Sequence, residues 1–315
     1  MVGPAQSLPA VFGATPPDEN NAELRSRGWE FEIVWRDRVG KDWNYEIGAS
    51  LSDYQDVVTK YNSPDNALKG YYKGKRLGDI YGYRVHGIAK NDDEMNAWLV
   101  NHDQTNISKV WGGGDFMYED LNGDKIITDG AKTLDDPGDM TVIGNTTPRF
   151  QYSFRGSLRW KFLDFSMFWQ GIGKRDLYFE SSTFDGMGDA YDRPIAEEHM
   201  DYFRYADSLF GENLDAYYAR PRTDAANNKP NDYYLQSGAY LRLKNVTVGY
   251  TLPSNTRLNK LVKTLRVYVS GENLFTFTPL RVFDPEAIGL STATWGLGLT
   301  YPMFRTFSVG LSVTL

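Results

Sequence analysis

The last ten residues of the chain, 306–315, alternate strictly between apolar and small or polar side chains. Odd positions from Phe307 to Leu315 are apolar, and even positions from Thr306 to Thr314 are Thr, Ser or Gly. Because a strand points successive side chains to opposite faces, the pattern predicts one fully apolar face and one small, polar face. About ten residues suffice for a tilted strand to cross a bilayer. An amphipathic strand of a soluble sandwich has the same pattern, so both interpretations stay open at this point.

Six earlier segments have the same alternation and complete a set of seven predicted wall strands. They are residues 23–36, 43–52, 150–160, 165–173, 239–252 and 264–277. In the fifth segment the apolar parity changes near Lys244 and Asn245, which predicts a β-bulge there.

The connections between these strands differ in length in a regular way. Residues 37–42 and 161–164 form short turns and residues 253–263 a moderate one, whereas 53–146, 174–238 and 278–302 are long. Short and long connections therefore alternate, as they do in outer-membrane barrels with tight periplasmic turns and long extracellular loops. A soluble sandwich has no reason to place all its long loops at one end. The predicted fold is all-β, a portion of a transmembrane antiparallel β-barrel.

The long loops contain predicted elements of their own. Residues 80–88 are strand-like, but counting them as a wall strand would break the alternation of short and long connections, so they are expected to lie inside the first long loop. A helical turn is predicted near residues 92–100, and a helix over 194–210, where Pro194 is tolerated in the first turn. Residues 1–22 form an extended lead-in.

Composition narrows the classes of function. Aromatic residues make up 15% of the 315 residues, which fits both membrane-interface girdles and carbohydrate-binding surfaces. The net charge of -7 argues against a nucleic-acid partner. The absence of cysteine excludes disulfides and thiolate chemistry. No apolar run of eighteen residues occurs, and residues 1–28 show no export signal.

Several sequence blocks resemble those of SusC/RagA-type TonB-linked outer-membrane transporters. The longest is YLRLKNVTVGYTLP at residues 240–253; VYVSGENLF at 267–275 and FDPE at 283–286 follow in the family's order. Further matches are RGWEF at 27–31, IYGY at 80–83, residues 120–126, and Tyr301-Pro302 before Arg305-Thr306-Phe307. The blocks extend over nearly the whole chain. The chain departs from the family at its end, Leu315, where such barrels usually have an aromatic residue.

The resemblance implies the C-terminal part of a plugged barrel of about twenty-two strands. Residues 23–315 would form this part, with the plug and signal peptide expected on a longer precursor. It further implies an outer-membrane location in a Gram-negative, Bacteroidetes-like cell. The implied function is TonB-dependent uptake of oligosaccharide or peptide cargo with a SusD-like lipoprotein, the TonB complex acting through the plug. The alternative is a soluble, secreted β-sandwich that binds carbohydrate.

One segment has the spacing of a calcium loop. Asp120, Asn122 and Asp124 occupy positions one, three and five of an EF-hand-like loop, and Thr128 occupies position nine. Lys125 stands where glycine is expected, and Ala131 where a glutamate is expected. The residues therefore predict either a structural calcium ion or an acidic turn held by its own Asx hydrogen bonds.

Catalytic patterns are weak, so the chain is predicted not to be an enzyme. His86, His102 and His199 are isolated in sequence, and the acid pairs Asp135-Asp136 and Glu197-Glu198 lie in polar stretches. Aromatic residues of the long loops are the candidates for contact with cargo or with the lid, which the resemblance implies is the SusD-like lipoprotein at the outer face. Packing of one loop on another explains each of them equally well. These are Trp111, Tyr191, Tyr217, Tyr218, Tyr233, Tyr234 and Trp295.

Overall fold

The computed structural model describes residues 22–61, 66–179, 197–222, 224, 226–253, 262–281, 283–287 and 303–314. In chain order its elements are β1 (Ala22–Val39), β2 (Trp43–Tyr61), β3 (Asp79–Gly82), β4 (Val85–Ile88), α1 (Asp92–Leu99), β5 (Phe116–Tyr118), β6 (Thr141–Asn145), β7 (Arg149–Trp160), β8 (Leu163–Lys174), β9 (Asp176–Leu177), β10 (Gln236–Ser237), β11 (Tyr240–Thr251), β12 (Thr264–Glu272), β13 (Thr276–Phe277) and β14 (Thr306–Thr314).

Seven long strands form one antiparallel sheet in the order β1-β2-β7-β8-β11-β12-β14. Each wall strand pairs with the next one along the chain, and the short strand β13 pairs with the upper part of β11. The seven predicted wall strands are confirmed. In the described residues the sheet is open, because β1 and β14 each pair on one side only.

The apolar face of this sheet points outward. Val267 of β12 faces Leu311 of β14, and Val269 faces Val309, so the apolar residues form cross-strand rows. Phe307, Val309 and Leu311 are 77%, 79% and 63% exposed. In a sandwich this face would be buried against a second sheet, so the sandwich interpretation is wrong. Leu315 lies outside the described residues.

The opposite face is polar and carries charged pairs. The hydroxyl groups of Ser50 and Ser153 are 2.7 Å apart across β2 and β7. Arg155 Nη2 lies 2.9 Å from Glu32 Oε1 on β1. The alternation seen in the sequence therefore produces an outer apolar face and an inner polar face, as in a transmembrane barrel.

Two irregularities shape the last strands. The register between β8 and β11 shifts between Leu243 and Asn245, which confirms the predicted bulge. The strand predicted over 264–277 is divided into β12 and β13, because Asn273 takes a left-handed conformation with φ of 53°. The amide of Asn273 still donates to the carbonyl of Lys244, so the interruption stays fastened to β11.

The first hairpin is longer than its alternation indicated. The predicted loop 53–146 begins only after Tyr61, because β2 continues to that residue. Beyond Ser52 this strand no longer forms a ladder with β7, whereas its ladder with β1 continues to Tyr61. The boundary was missed because residues 53–61 follow no clean alternation of apolar and polar side chains.

The predicted elements of the first long loop lie outside the wall. Residues 80–88 form β3 and β4, which pair with β6 and β5. The strand is divided because the amide of Tyr83 donates to the carbonyl of Pro230. The predicted helical turn is α1, whose N-cap Asn91 accepts a hydrogen bond from the amide of Glu94.

The helix predicted over 194–210 is wrong for the part that the structure describes. Only Glu197–Met200 form a single 3-10 turn. The following backbone groups bond across the chain instead, with the amide of Phe203 donating to Tyr218 and that of Arg204 to Asn213. Residues 194–196 lie outside the described residues.

The hydrophobic core of the molecule lies in the loops rather than beneath the sheet. Its buried members come from the first two long loops and from one residue of the third, and several are aromatic. They are Tyr83, Phe116, Tyr118, Ile127, Leu177, Phe179, Tyr218, Ala219, Tyr234 and Leu280. Among the described residues, no helix is both long and apolar enough to cross a membrane.

Candidate functional site

Arg242 fastens the third long loop to the inner face of the wall. Its register partner on β8 is Gln170, which places it on the polar face of the sheet. Arg242 as a whole is 1% exposed, and its guanidinium donates to Glu286 at 2.6 Å and to Asp284 at 2.7 Å. It also donates to the hydroxyl of Thr276 at 2.8 Å. Because each terminal nitrogen of this buried guanidinium binds a different carboxylate of the loop, the loop is fixed in position on the wall.

Lys244 adds a second cation to this contact, and Arg242, Lys244, Asp284 and Glu286 are together called the Arg242 anchor. Lys244 Nζ lies 2.9 Å from Glu286, and the hydroxyl of Tyr240 donates to the same carboxylate at 2.9 Å. Two cations therefore balance the two carboxylates Asp284 and Glu286, so neither carboxylate is buried without an ion-pair partner. Burial raises the pKa of Asp284, but the hydrogen bond and positive charge of Arg242, together with the backbone amides of Glu286 and Met303, leave this pKa below its usual range.

Asp115 joins the first long loop to the second. It is fully buried and receives a two-pronged contact from Arg220, with both distances 2.6 Å. Arg222 donates to it at 2.7 Å and the side-chain amide of Asn227 at 3.0 Å. Because all three donors come from the second loop, the carboxylate ties together chain segments that are more than 100 residues apart.

The second and third long loops meet at Tyr217. Arg281 of the third loop stacks over the Tyr217 ring, 3.9 Å from its centroid. The same guanidinium forms an ion pair with Glu198 at 2.9 Å. Burial raises the pKa of Tyr217 to about 12, so its hydroxyl is neutral throughout the physiological range. The loops form one packed layer at the long-loop end of the wall.

The aromatic candidates for contact with cargo or a lid fall into three groups. Tyr218 and Tyr234 are 1% and 2% exposed, so their rings pack inside the loop layer. Trp111, Tyr217 and Tyr233 are half-buried against the same core, and their contact with cargo or a lid stays a prediction. Tyr191 and Trp295 lie outside the described residues.

The calcium-loop candidate is a set of Asx turns. Asp120 accepts the amides of Gly123 and Lys125 at 2.7 and 2.8 Å, and Asp124 accepts that of Ile126 at 2.8 Å. The carbonyl oxygen of the Asn122 side chain accepts the amide of Asp124 at 2.9 Å. Burial raises the pKa of Asp120, and the backbone donors led by Lys125 bring it below its usual range. These oxygens are thus satisfied within the loop.

Two features bear on whether an ion would fit this loop. Lys125 has a φ of 68°, so a lysine makes the left-handed bend for which EF-hand loops use glycine. The hydroxyl of Thr128 accepts the amide of Gly130 at 3.2 Å. No cluster of three or more His, Asp or Glu side chains with metal-binding geometry occurs in the described part of the chain. Calcium at Asp120, Asn122, Asp124 and Thr128 stays a prediction.

The three histidines occupy two separate places in the loop layer. His86 and His102 stack on the Trp98 ring, with centroid distances of 4.8 and 3.8 Å. His199 is buried elsewhere, edge-on to Tyr218 at 5.5 Å. Both places are explained by aromatic packing.

The residues that sequence reasoning missed are the buried charges. Arg242, Asp284 and Asp115 were not among the candidate site residues, although two of them belong to the recognised blocks YLRLK and FDPE. The sequence feature that could have identified the anchor is the presence of a basic residue in one block and acidic residues in the other. A charge that lies among apolar and aromatic residues needs a partner of opposite sign when it is buried.

Comparison with known proteins confirms the resemblance found in the sequence. No family model matches the chain. It is 28% identical to TonB-dependent receptor P3 of Formosa agariphila over 97% of this chain and 30% of that protein. Receptor P26 of the same organism is 26% identical over 98% of this chain and 31% of its own length. The TonB-dependent receptor SusC of Bacteroides thetaiotaomicron is 23% identical over 94% of this chain and 27% of that protein. The chain thus spans about a third of the length of these relatives.

Solved structures show the same fold. The RagAB peptide transporter matches with a TM-score of 0.66 and 19% identity, over 97% of this chain and 31% of the other. The RagAB peptide importer in its open-open state matches with a TM-score of 0.63 and 18% identity, over 100% of this chain and 31% of the other. These likenesses show that the chain has the fold of about a third of each of these two structures. The named relatives are receptors and transporters rather than enzymes.

Proposed function

We propose that this chain is the C-terminal wall portion of a TonB-dependent importer of the SusC/RagA type in an outer membrane. The observation that carries the proposal is the seven-stranded antiparallel sheet, with its exposed apolar outer face, its polar inner face and its long loops packed at one end. A large exposed apolar face on strands that alternate with an inner polar face is typical of a barrel whose outer surface contacts the hydrocarbon of a bilayer. The similarity to TonB-dependent receptors over nearly the whole chain supports the same proposal.

The inner face suits a plugged lumen rather than an open channel. A cleft of about 690 Å³ lies on this face near the short turns. Its charged lining residues are Arg36, Asp37, Arg38, Glu46, Arg159 and Asp164. We expect this surface to contact the plug, through which the TonB complex would act. In such barrels large lumens are filled by a plug that must be held and then released, which favours charged and water-accessible contacts over apolar ones.

The loop layer is proposed to face a SusD-like lipoprotein and the cargo. Asp115 joins the first long loop to the second, Arg281 joins the third to Tyr217 of the second, and Arg242 fastens the third to the wall. Together these contacts provide a preorganised surface at the outer end of the wall. The half-buried rings of Trp111 and Tyr233 are candidates for the cargo side. Such rings stack on sugars and also pack against apolar peptide side chains. Oligosaccharide and peptide oligomers are therefore the two cargo classes to test.

Uptake in the native host tests this function. The gene for the full-length protein is deleted and restored, and cells are offered fluorescent oligosaccharides and fluorescent oligopeptides in parallel. We expect uptake of one class to disappear on deletion and to return with the restored gene. A strain that lacks TonB and cells treated with a protonophore serve as controls, because energy coupling predicts that both abolish uptake. Uptake of both classes that is unaffected by deletion would contradict the proposal.

A further inference from the structure

A small hairpin in the second long loop presents two apolar side chains to solvent. Leu209 is 99% exposed and Phe210 is 63% exposed. They are the central residues of a β-turn, in which the amide of Gly211 donates to the carbonyl of Ser208 at 3.0 Å. Serine at the first position and glycine at the fourth are typical of this turn, but its central positions usually carry polar residues. Leu209 and Phe210 are named here the apolar tip.

The tip is held by its own hairpin. The backbones of Arg204 and Asn213 exchange two hydrogen bonds of 3.1 and 2.9 Å at its base. The guanidinium of Arg204 also donates to the carbonyl of Gly211 at 3.0 Å, which fastens the turn from one side. Gly211 makes the bend with a φ of 76°, a conformation that favours glycine. A partner would therefore meet a preorganised tip and lose little entropy on binding.

The base of the hairpin is fastened to the loop layer. Tyr205 packs on Phe203 with centroids 5.1 Å apart, and its hydroxyl donates to Asp92 at the start of α1 at 3.3 Å. Lys90 Nζ lies 2.8 Å from Asp215 on the far side of the hairpin. Because the base is attached at both sides, a partner bound at the tip would be held against the loop layer.

The rim of the tip is acidic. Residues 197–215 contain six carboxylates and one arginine. Asp207 and Glu212 flank the turn directly, both are exposed, and within the described part of the chain neither forms an ion pair. Such a rim is repelled by an anionic lipid surface. It complements a protein whose apolar pocket is flanked by lysine or arginine.

We infer that the apolar tip inserts into an apolar pocket, rimmed by lysine or arginine, on a partner protein that covers the long-loop end of the wall. The inference rests on the proposed function, in which that partner is the lipoprotein. Two side chains that enter a pocket while the acidic rim aligns the partner match the usual division of an interface into an apolar centre and a polar rim. The hairpin would be the point at which this loop engages the lid.

A photo-crosslinking experiment on the full-length transporter in its native membrane identifies the contact. The photoreactive residue p-benzoylphenylalanine replaces Leu209 in one strain and Val100, which is 76% exposed on another part of the loop layer, in the control. We expect a cross-link from position 209, but not from position 100, to an apolar segment of the lipoprotein. A cross-link within the same polypeptide would overturn the inference, because the tip would then pack on another loop of the barrel.

Binding of the purified lipoprotein to the full-length transporter in detergent then provides the quantitative test. Replacing both Leu209 and Phe210 by serine should weaken binding by about 10- to 100-fold, as expected for the loss of one or two buried apolar side chains. Asp207→Asn with Glu212→Gln should weaken it less and flatten its salt dependence. The variant Val100→Ser should bind like the wild type.

The outcomes separate this inference from the proposed function. If the serine variant binds the lipoprotein with unchanged affinity, the docking role of the tip is wrong while the transporter proposal stands. If the wild type binds no lipoprotein, the partner named in the proposed function fails as well. Loss of binding to anionic lipid vesicles in the serine variant, with lipoprotein binding unchanged, would show that the tip is a membrane contact and overturn the inference.

Discussion

Replacing Arg242 by methionine should release the third long loop from the wall. The substitution removes the ion-pair partner of Asp284, whereas Glu286 keeps Lys244 and the hydroxyl of Tyr240. Removing one member of a buried pair costs about 3–5 kcal/mol, because the remaining charge stays buried and unpaired. Since one of the two carboxylates keeps a cation, we expect the lower end, about 3 kcal/mol. The population in which this loop is open should rise about 100-fold.

Hydrogen–deuterium exchange on the full-length protein in detergent measures this opening locally. The amide of Glu286, which donates to Asp284 at 2.9 Å, lies in the segment where exchange should accelerate by about the same factor. Peptides from β7 should exchange at the wild-type rate, because that strand keeps its pairing with both neighbours. The measurement therefore distinguishes release of the loop from general unfolding.

Two further variants decide whether the unpaired charge is the cause. Adding Asp284→Asn to Arg242→Met should restore most of the protection, because the uncompensated charge is removed. Arg266→Met provides a matched control, since its pair with Asp164 is about 30% exposed on both sides and should be worth less than about 1 kcal/mol. Wild-type exchange in Arg242→Met, or faster exchange when Asp284→Asn is added, would refute the reasoning.

Four other predictions follow from the same structure. Val309→Arg places a charge on the lipid face and should destabilise the assembled barrel by about 2–4 kcal/mol, which lowers the assembled fraction seen as heat-modifiable gel mobility. Ser308→Arg on the inner face should assemble normally. Asp115→Ala should make the first two long loops sensitive to limited proteolysis, because two arginines lose their shared carboxylate; wild-type cleavage rates would contradict this. The pKa of Asp284 is lowered in the fold, so its ionised form stabilises the loop fully above its unfolded pKa of about 3.9. This stabilisation is lost as the pH falls through the folded pKa. Amide exchange in residues 283–287, after correction for the intrinsic effect of pH on exchange rates, should therefore accelerate in acid. Titration calorimetry of the full-length protein should show calcium binding that Asp120→Asn weakens, and the absence of heat would leave the loop as a set of Asx turns.

The wall was predictable because its signal is local. Strict alternation in 306–315 specifies the two faces of β14 without any knowledge of its neighbours, and the parity change near Lys244 shows the bulge directly. The alternation of short and long connections then distinguishes a barrel from a sandwich. The faces and the bulge follow from the period of two that a strand imposes, and the distinction between barrel and sandwich follows from the lengths of the connections.

The loop layer was less predictable because its contacts are distant in sequence. Residues 201–210 have helical spacing, but the backbone of Phe203 bonds to Tyr218 instead, and no local pattern indicates that exchange. The same holds for Asp115, whose partners lie more than 100 residues away. Tyr218 and Tyr234 attract attention as loop aromatics, yet their burial depends on how the layer folds as a whole.

The length of the first hairpin has a consequence for where the loop layer stands. Residues 53–61 of β2 continue the ladder with β1 after the ladder with β7 has ended, which amounts to about 30 Å of two-stranded ribbon along the strand direction. At a tilt of about 40° this corresponds to about 20–25 Å of height above the shared wall. The amide of Val58 donates to Lys75 and that of Leu77 to Asp56, so the first loop is attached along this ribbon. In the proposed importer this hairpin would hold the loops above the lipid headgroups, at the height where large molecules outside the cell first arrive.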